Sequence, residues 1–133
     1  GVTLADLRRT MDNILKKYGH NILLQRRVNE WDGENPEYTK QLERHTVRDM
    51  HPTSRTLLGT TQEGIEGTFH DFDVIYFFRH TANPQAGDRI YENIEIYPNG
   101  LEIWTIDIAR PMRKDHGRIE FWICGVSKEI PKG

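Results

Sequence analysis

The sequence predicts a mainly β domain, with a minor α part: a small antiparallel β-barrel or rolled sheet of about six strands behind one N-terminal helix. Three observations predict it. The apolar period changes from helical to twofold at Gly19, turn signals then punctuate the chain at short intervals, and the densest apolar run, Val74-Ile75-Tyr76-Phe77-Phe78, is rich in strand-forming residues. Six short strands after one helix fit a closed or rolled sheet. With 36% hydrophobic and 29% charged residues, 133 residues suffice for one core and suit a single domain over 1–133.

The helix is expected over about residues 3–18, where Leu4, Leu7, Met11, Ile14, Leu15 and Tyr18 recur at helical spacing and form one apolar stripe. Thr3 can cap the first turn with Asp6 three residues on, and Lys16 and Lys17 suit the negative end of the helix dipole. Gly19 is expected to close the helix in the left-handed conformation. Arg9, Asn13 and Lys16 fall on the outer face.

Strands are expected over about 20–28, 39–49, 69–80, 89–97, 101–109 and 118–126. In the first, Ile22, Leu24 and Val28 share a face that Arg26 interrupts. The second is polar, with Leu42 and Val47 its large apolar residues, and the last places Ile119, Phe121 and Ile123 on one face. Asp32-Gly33-Glu34-Asn35-Pro36, Ala82 to Gly87 and Lys114 to Gly117 read as turns, and Pro98-Asn99-Gly100 as a hairpin. Residues 50–67 show no sustained period and read as a long loop with apolar islands at Leu57-Leu58 and Ile65.

Composition narrows the function. The formal net charge of −2 does not suit a domain built to grip nucleic acid. One cysteine, Cys124, rules out an internal disulfide and suits a reducing compartment, where it packs as a small hydrophobe. No stretch approaches membrane-spanning length, and Asp6 stands near where a myristoylation signal requires Ser or Thr. The six histidines lack the short spacings of a zinc site. Asp71, Asp73 and Glu120, with Glu102 and Asp107 nearby, could in principle form a hydrolytic carboxylate pair, but alternating acids on a strand are more often its wet face. Arg79 with Tyr76 and Phe78, or Arg118 with Trp122, are the candidate single-strand nucleic-acid contacts. No catalytic, cofactor-binding or metal-ligating residue is expected.

Several segments, in order, carry a likeness. Leu4-Ala5-Asp6-Leu7-Arg8-Arg9 opens the helix, which runs to Lys17-Tyr18-Gly19-His20, and Leu23-Leu24-Gln25-Arg26-Arg27 follows. Later come Pro84-Gln85-Ala86-Gly87-Asp88-Arg89-Ile90-Tyr91-Glu92 and Gly117-Arg118-Ile119-Glu120-Phe121-Trp122, leading into Gly125-Val126. This order resembles the head-completion, or head–tail stopper, proteins of tailed bacteriophages, through motifs that are short and structural.

The resemblance implies a β-barrel with a flanking helix and long loops, in a ring of copies, most often twelve, below the portal and adaptor and above a tail terminator or tail tube. Genomic DNA would pass through the ring without sequence-specific binding. The location implied is the virion neck, after synthesis in the host cytoplasm, with no membrane partner. A loop from each copy closes the channel in that family. By length and analogy the 50–67 loop is the expected gate or inter-subunit contact, through Arg55, Leu57, Leu58, Gly59, Gly64, Ile65 and Gly67. Alternatives are a tail terminator or other neck ring and, from other classes, a single-strand nucleic-acid-binding barrel or a small hydrolase.

Overall fold

The computed structural model describes residues 7–29, 36–50, 56–57, 60–61, 72–92, 94, 102–113 and 117–129. Helix α1 (Leu7–Tyr18) is followed by β1 (His20–Arg27), β2 (Tyr38–Met50), β3 (Thr56–Leu57), β4 (Thr60–Thr61), β5 (Val74–Arg79), β6 (Arg89–Glu92), β7 (Glu102–Arg113) and β8 (Ile119–Lys128). Six strands close a barrel in the order β1-β2-β5-β8-β7-β6, every neighbouring pair antiparallel. The expected six-stranded antiparallel barrel with one helix is therefore the observed fold. Because β5 and β6 stand three places apart in either direction around the barrel, residues 80–88 must cross one end of it from wall to wall.

Two apolar clusters lie on opposite sides of the same wall. Ile22, Leu24, Val47, Tyr76, Phe78, Ile90, Ile106, Trp122, Cys124 and Val126 fill the interior, and Ala82 of the crossing segment packs among them. Met11 and Leu15 press α1 onto the outside against Ile75, Phe77, Phe121 and Ile123. Both faces of β5 and β8 are thus buried, which is why Val74 to Phe78 reads as an unbroken apolar run instead of an alternation. In β8 the sequence shows the Phe121 and Ile123 face. The even-numbered face, with Trp122, Cys124 and Val126, is the one inside the barrel.

Several expected boundaries and faces are corrected. Val28 leaves β1 and is 58% exposed, so it does not continue the face of Ile22 and Leu24. Tyr18 is also exposed, as is Leu42. The expected 69–80 strand starts at Val74, after a bend at Phe72 and Asp73; of the 89–97 strand, Arg89–Glu92 is observed, and residues 93 and 95–97 lie outside the described residues. The last two strands run on to Arg113 and Lys128. Pro111 is tolerated because, among the described residues, this part of β7 has a strand partner on one side only. Gly19 does not have a positive φ. It is required by close approach instead: an added Cβ would collide with the Leu15 carbonyl and stand 2.8 Å from the Val47 carbonyl oxygen. The left-handed glycine is Gly87, at φ 96°, beside Asn83 at φ 48°. The 50–67 loop is also shorter than expected: Met50 belongs to β2, and Thr56–Leu57 pairs with Thr60–Thr61 as a separate two-stranded ribbon.

Candidate functional site

Side chains fill the barrel, so any functional surface lies at its ends, on its outer wall or in its loops. The crossing end is closed by Arg26. It follows Ile22 and Leu24 at twofold spacing and therefore points inward. Its Nε and Nη2 donate to the two Glu43 carboxylate oxygens at 2.8 and 3.0 Å, and Nη1 reaches Asp88 Oδ2 at 3.3 Å. Nη1 and Nη2 also donate to the carbonyls of Asn83 and Ala82, which fastens the crossing segment across the barrel mouth. Asp88, 1% exposed, further accepts from the Arg27 and Gln85 amides, both at 2.9 Å. The Arg26 hydrogen bonds hold the Glu43 carboxyl below the usual range, against the opposing effect of burial.

At the opposite end, His20, Tyr76 and Glu92 converge. His20 Nε2 lies 2.7 and 2.8 Å from the two Glu92 oxygens, and the Tyr76 hydroxyl donates to Glu92 Oε2 at 2.6 Å. The hydrogen bond to Glu92 raises the His20 pKa despite burial, and the charges of Glu92 and Asp49 add to it. Burial first, then Glu92, pushes the Tyr76 hydroxyl pKa up, so it stays a neutral donor. The carboxylate is thus held by two donors that orient it, as in half of an acid–base constellation. The buried Cys124 thiol offers it no nucleophile, since burial raises its pKa and disfavours the thiolate.

This second end is where the long loop starts and finishes, since β2 ends at Met50 beside Ile75 and the chain re-enters β5 at Val74. Of the expected gate residues, Leu57 lies in β3, paired with Thr60. Arg55, Leu58, Gly59, Gly64, Ile65 and Gly67 lie outside the described residues, as does Asp71.

The candidate carboxylates and basic–aromatic pairs weighed from the sequence are separated. Asp73 is exposed and accepts from the Lys128 amide, whereas Glu120 is buried beside Arg118. The two sit at opposite ends of β8, about 26 Å apart at the rise of a strand, and form no catalytic pair. Glu102 pairs with Lys128, and Asp107 accepts from the Ser127 hydroxyl. Tyr76, Phe78 and Trp122 lie inside the barrel, while Arg79 is exposed and reaches out to Asp12 of α1. These three aromatics are therefore core residues and do not present a face for base stacking.

A feature the sequence reading missed is a groove of about 530 Å³ between α1 and the outer wall of β2 and β5. Lys16, Arg44 and Arg79 line it, together with Thr46 and Thr81. The residues come from three segments far apart in the chain, so no local pattern announces it. The inward arginine did carry a signal, because a charge in register with Ile22 and Leu24 requires partners.

Among the described residues, no helix is long and apolar enough to cross a membrane. No family model, curated protein or solved structure matches the chain, so its reading rests on its own residues.

Proposed function

We propose that the chain is a non-enzymatic ring subunit of a phage neck, a head-completion or stopper protein that joins head to tail and helps retain packaged DNA. The observation that carries this reading is the filled barrel with a long loop rooted at one end. Such a barrel offers no internal ligand chamber, so it acts through its outer surfaces and loops, as a ring component does. The DNA channel lies between copies, because no path runs through the filled interior of one. The loop between Met50 and Phe72 then serves as gate or inter-subunit contact, and its sequence holds Arg55, Leu57, Leu58 and Ile65 for that role.

Labelling a tagged copy in purified particles tests the proposal. The label is expected at the head–tail junction, and a label on the capsid shell or absence from the particle refutes it. Shortening residues 53–67 is then expected to leave heads assembled but leaking DNA; failure of the subunit to join the head makes the loop an interface instead. The competing reading, a single-strand nucleic-acid-binding barrel, draws support from the basic groove. A salt-sensitive oligonucleotide affinity favours it.

A further inference from the structure

The outer face of β2 and the last turn of α1 gather positive charge that the fold does not use. In β2, Val47 faces the barrel interior and Met50 packs in the outer cluster, so Arg44, Thr46 and Arg48 stand on the outer face. Arg79 continues that face on β5, one step beyond the Val47–Phe78 pair and therefore beside Thr46. Lys16 and Lys17 join the strip from the end of α1. Asp12 is the one carboxylate lining the groove among the described residues, and it already accepts from Arg79 at 3.1 Å. Lys16 and Arg44 line the same groove, both exposed, with no carboxylate partner among the described residues. Lys17 and Arg48 lie 5.3 and 5.6 Å from the centroid of the Tyr18 ring, which holds them beside the strip without neutralising them. The strip therefore has the sign opposite to the chain's formal net charge of −2.

We propose that this strip binds the phosphate backbone of duplex DNA, and that in the neck ring it is the face each subunit turns to the channel. The planar fork of Arg44 can donate twice to one phosphate. The Thr46 and Thr81 hydroxyls lining the groove are further donors of the kind that position a protein on a backbone. Arg44 and Arg48 lie four residues apart on one strand, or about 13 Å. A duplex presents a charge for about every 1.7 Å of its axis, so both arginines meet phosphates together whatever the sequence. A single strand fits less well. No Phe, Tyr or Trp lines the groove among the described residues, and the nearby Tyr18 ring is engaged by its two cations.

A few phosphate contacts, with none to base edges, hold DNA loosely and let it slide, as a conduit requires. The choice of duplex DNA over another polyanion rests on the neck reading; the charged strip itself does not.

Fluorescence anisotropy of a labelled mixed-sequence duplex of about 20 base pairs, titrated with the full chain at several salt concentrations, tests the proposal. Four phosphate contacts, by Lys16, Lys17, Arg44 and Arg48, give an expected slope of log K against log salt of about −3.6. Lys16→Gln with Arg44→Gln is expected to weaken binding about tenfold or more at low salt and to halve that slope. Lys16→Arg with Arg44→Lys keeps the charge and is expected to keep the slope. Arg110→Gln, at an exposed site on β7, is expected to change neither affinity nor slope. Circular dichroism confirms that each variant is folded. A slope near zero, or affinity unchanged by Lys16→Gln with Arg44→Gln, overturns the proposal. So does a single strand of equal length that binds more tightly than the duplex. Poly-glutamate that displaces the duplex at equal charge also overturns it, and makes the strip a dock for an acidic protein. Duplex binding by this strip without neck labelling would sink the neck reading and leave the binding surface; neck labelling without duplex binding would do the reverse.

Discussion

Replacing Arg26 with Met removes the fork that ties β1 to β2 and to the crossing segment while keeping an apolar stem of similar length. The Glu43 side chain is 43% exposed, so water takes over most of its role and the loss there is under about 1 kcal/mol. The Asp88 side chain, 2% exposed, keeps two amide donors but loses the Arg26 cation, and a buried carboxylate left so costs about 2–3 kcal/mol. Two carbonyls also lose charged donors, at about 0.5–1 kcal/mol each. Together these predict a loss near 4 kcal/mol, or a Tm lower by roughly 15 °C for a chain of this size. Arg26→Lys keeps the charge but not the fork and is expected to lose about half as much. Urea unfolding followed by tryptophan fluorescence measures both, with an unchanged slope showing that the cooperative unit is the same. Arg26→Met within 1 kcal/mol of the wild type would refute the claim that this residue fastens the barrel end.

Three further perturbations separate the layers of the fold. Phe121→Ala empties a site 4% exposed, beside Phe77 at 6.2 Å between ring centroids, and is expected to cost about 3–5 kcal/mol and speed hydrogen exchange along α1; unchanged protection there would show that the outer cluster does not hold the helix. Gly87→Ala forces φ 96° on a residue with a Cβ and sets that Cβ 2.7 Å from Arg27 Cδ, so a loss of about 1–3 kcal/mol in thermal unfolding is expected. His20 has a raised folded-state pKa, so its ion pair with Glu92 stabilises fully below about pH 6.5 and is lost as pH rises through the folded value. With the imidazole 41% exposed the effect is under about 1 kcal/mol, and His20→Gln is expected to flatten the fall in Tm between pH 5.5 and 8.5.

What the sequence shows depends on how local each cause is. Met11 and Leu15 mark the packed helix face, and Val74 to Phe78 mark a buried strand, because both periods are written in neighbouring residues. Arg26 breaks the same logic: its residue type suggests solvent, but its register puts it inside, and only Glu43, Asp88 and the carbonyls of residues 82 and 83 explain how it can stay there. Glu92 is similar, two residues past buried Ile90 and satisfied by groups 16 and 72 residues away. Strand ends were misplaced where pairing overrides propensity, as where β7 runs through Pro111 to Arg113. The basic groove was not legible because it combines residues from position 12 to position 81.

The closed wall has two seams of unequal length where its halves, β1-β2-β5 and β6-β7-β8, meet. Six residue pairs join β5 to β8, but only three join β1 to β6. An opening fluctuation therefore parts the short seam and hinges on the long one, like a book with its spine at β5–β8. Two ion pairs bracket that short seam: His20 with Glu92 at one end and Arg26 with Asp88 at the other. They act as clasps on an otherwise weak join, and only the first depends on pH near neutrality. Above the His20 pKa the barrel is held at one corner and loosened at the other, beside the end from which the long loop departs.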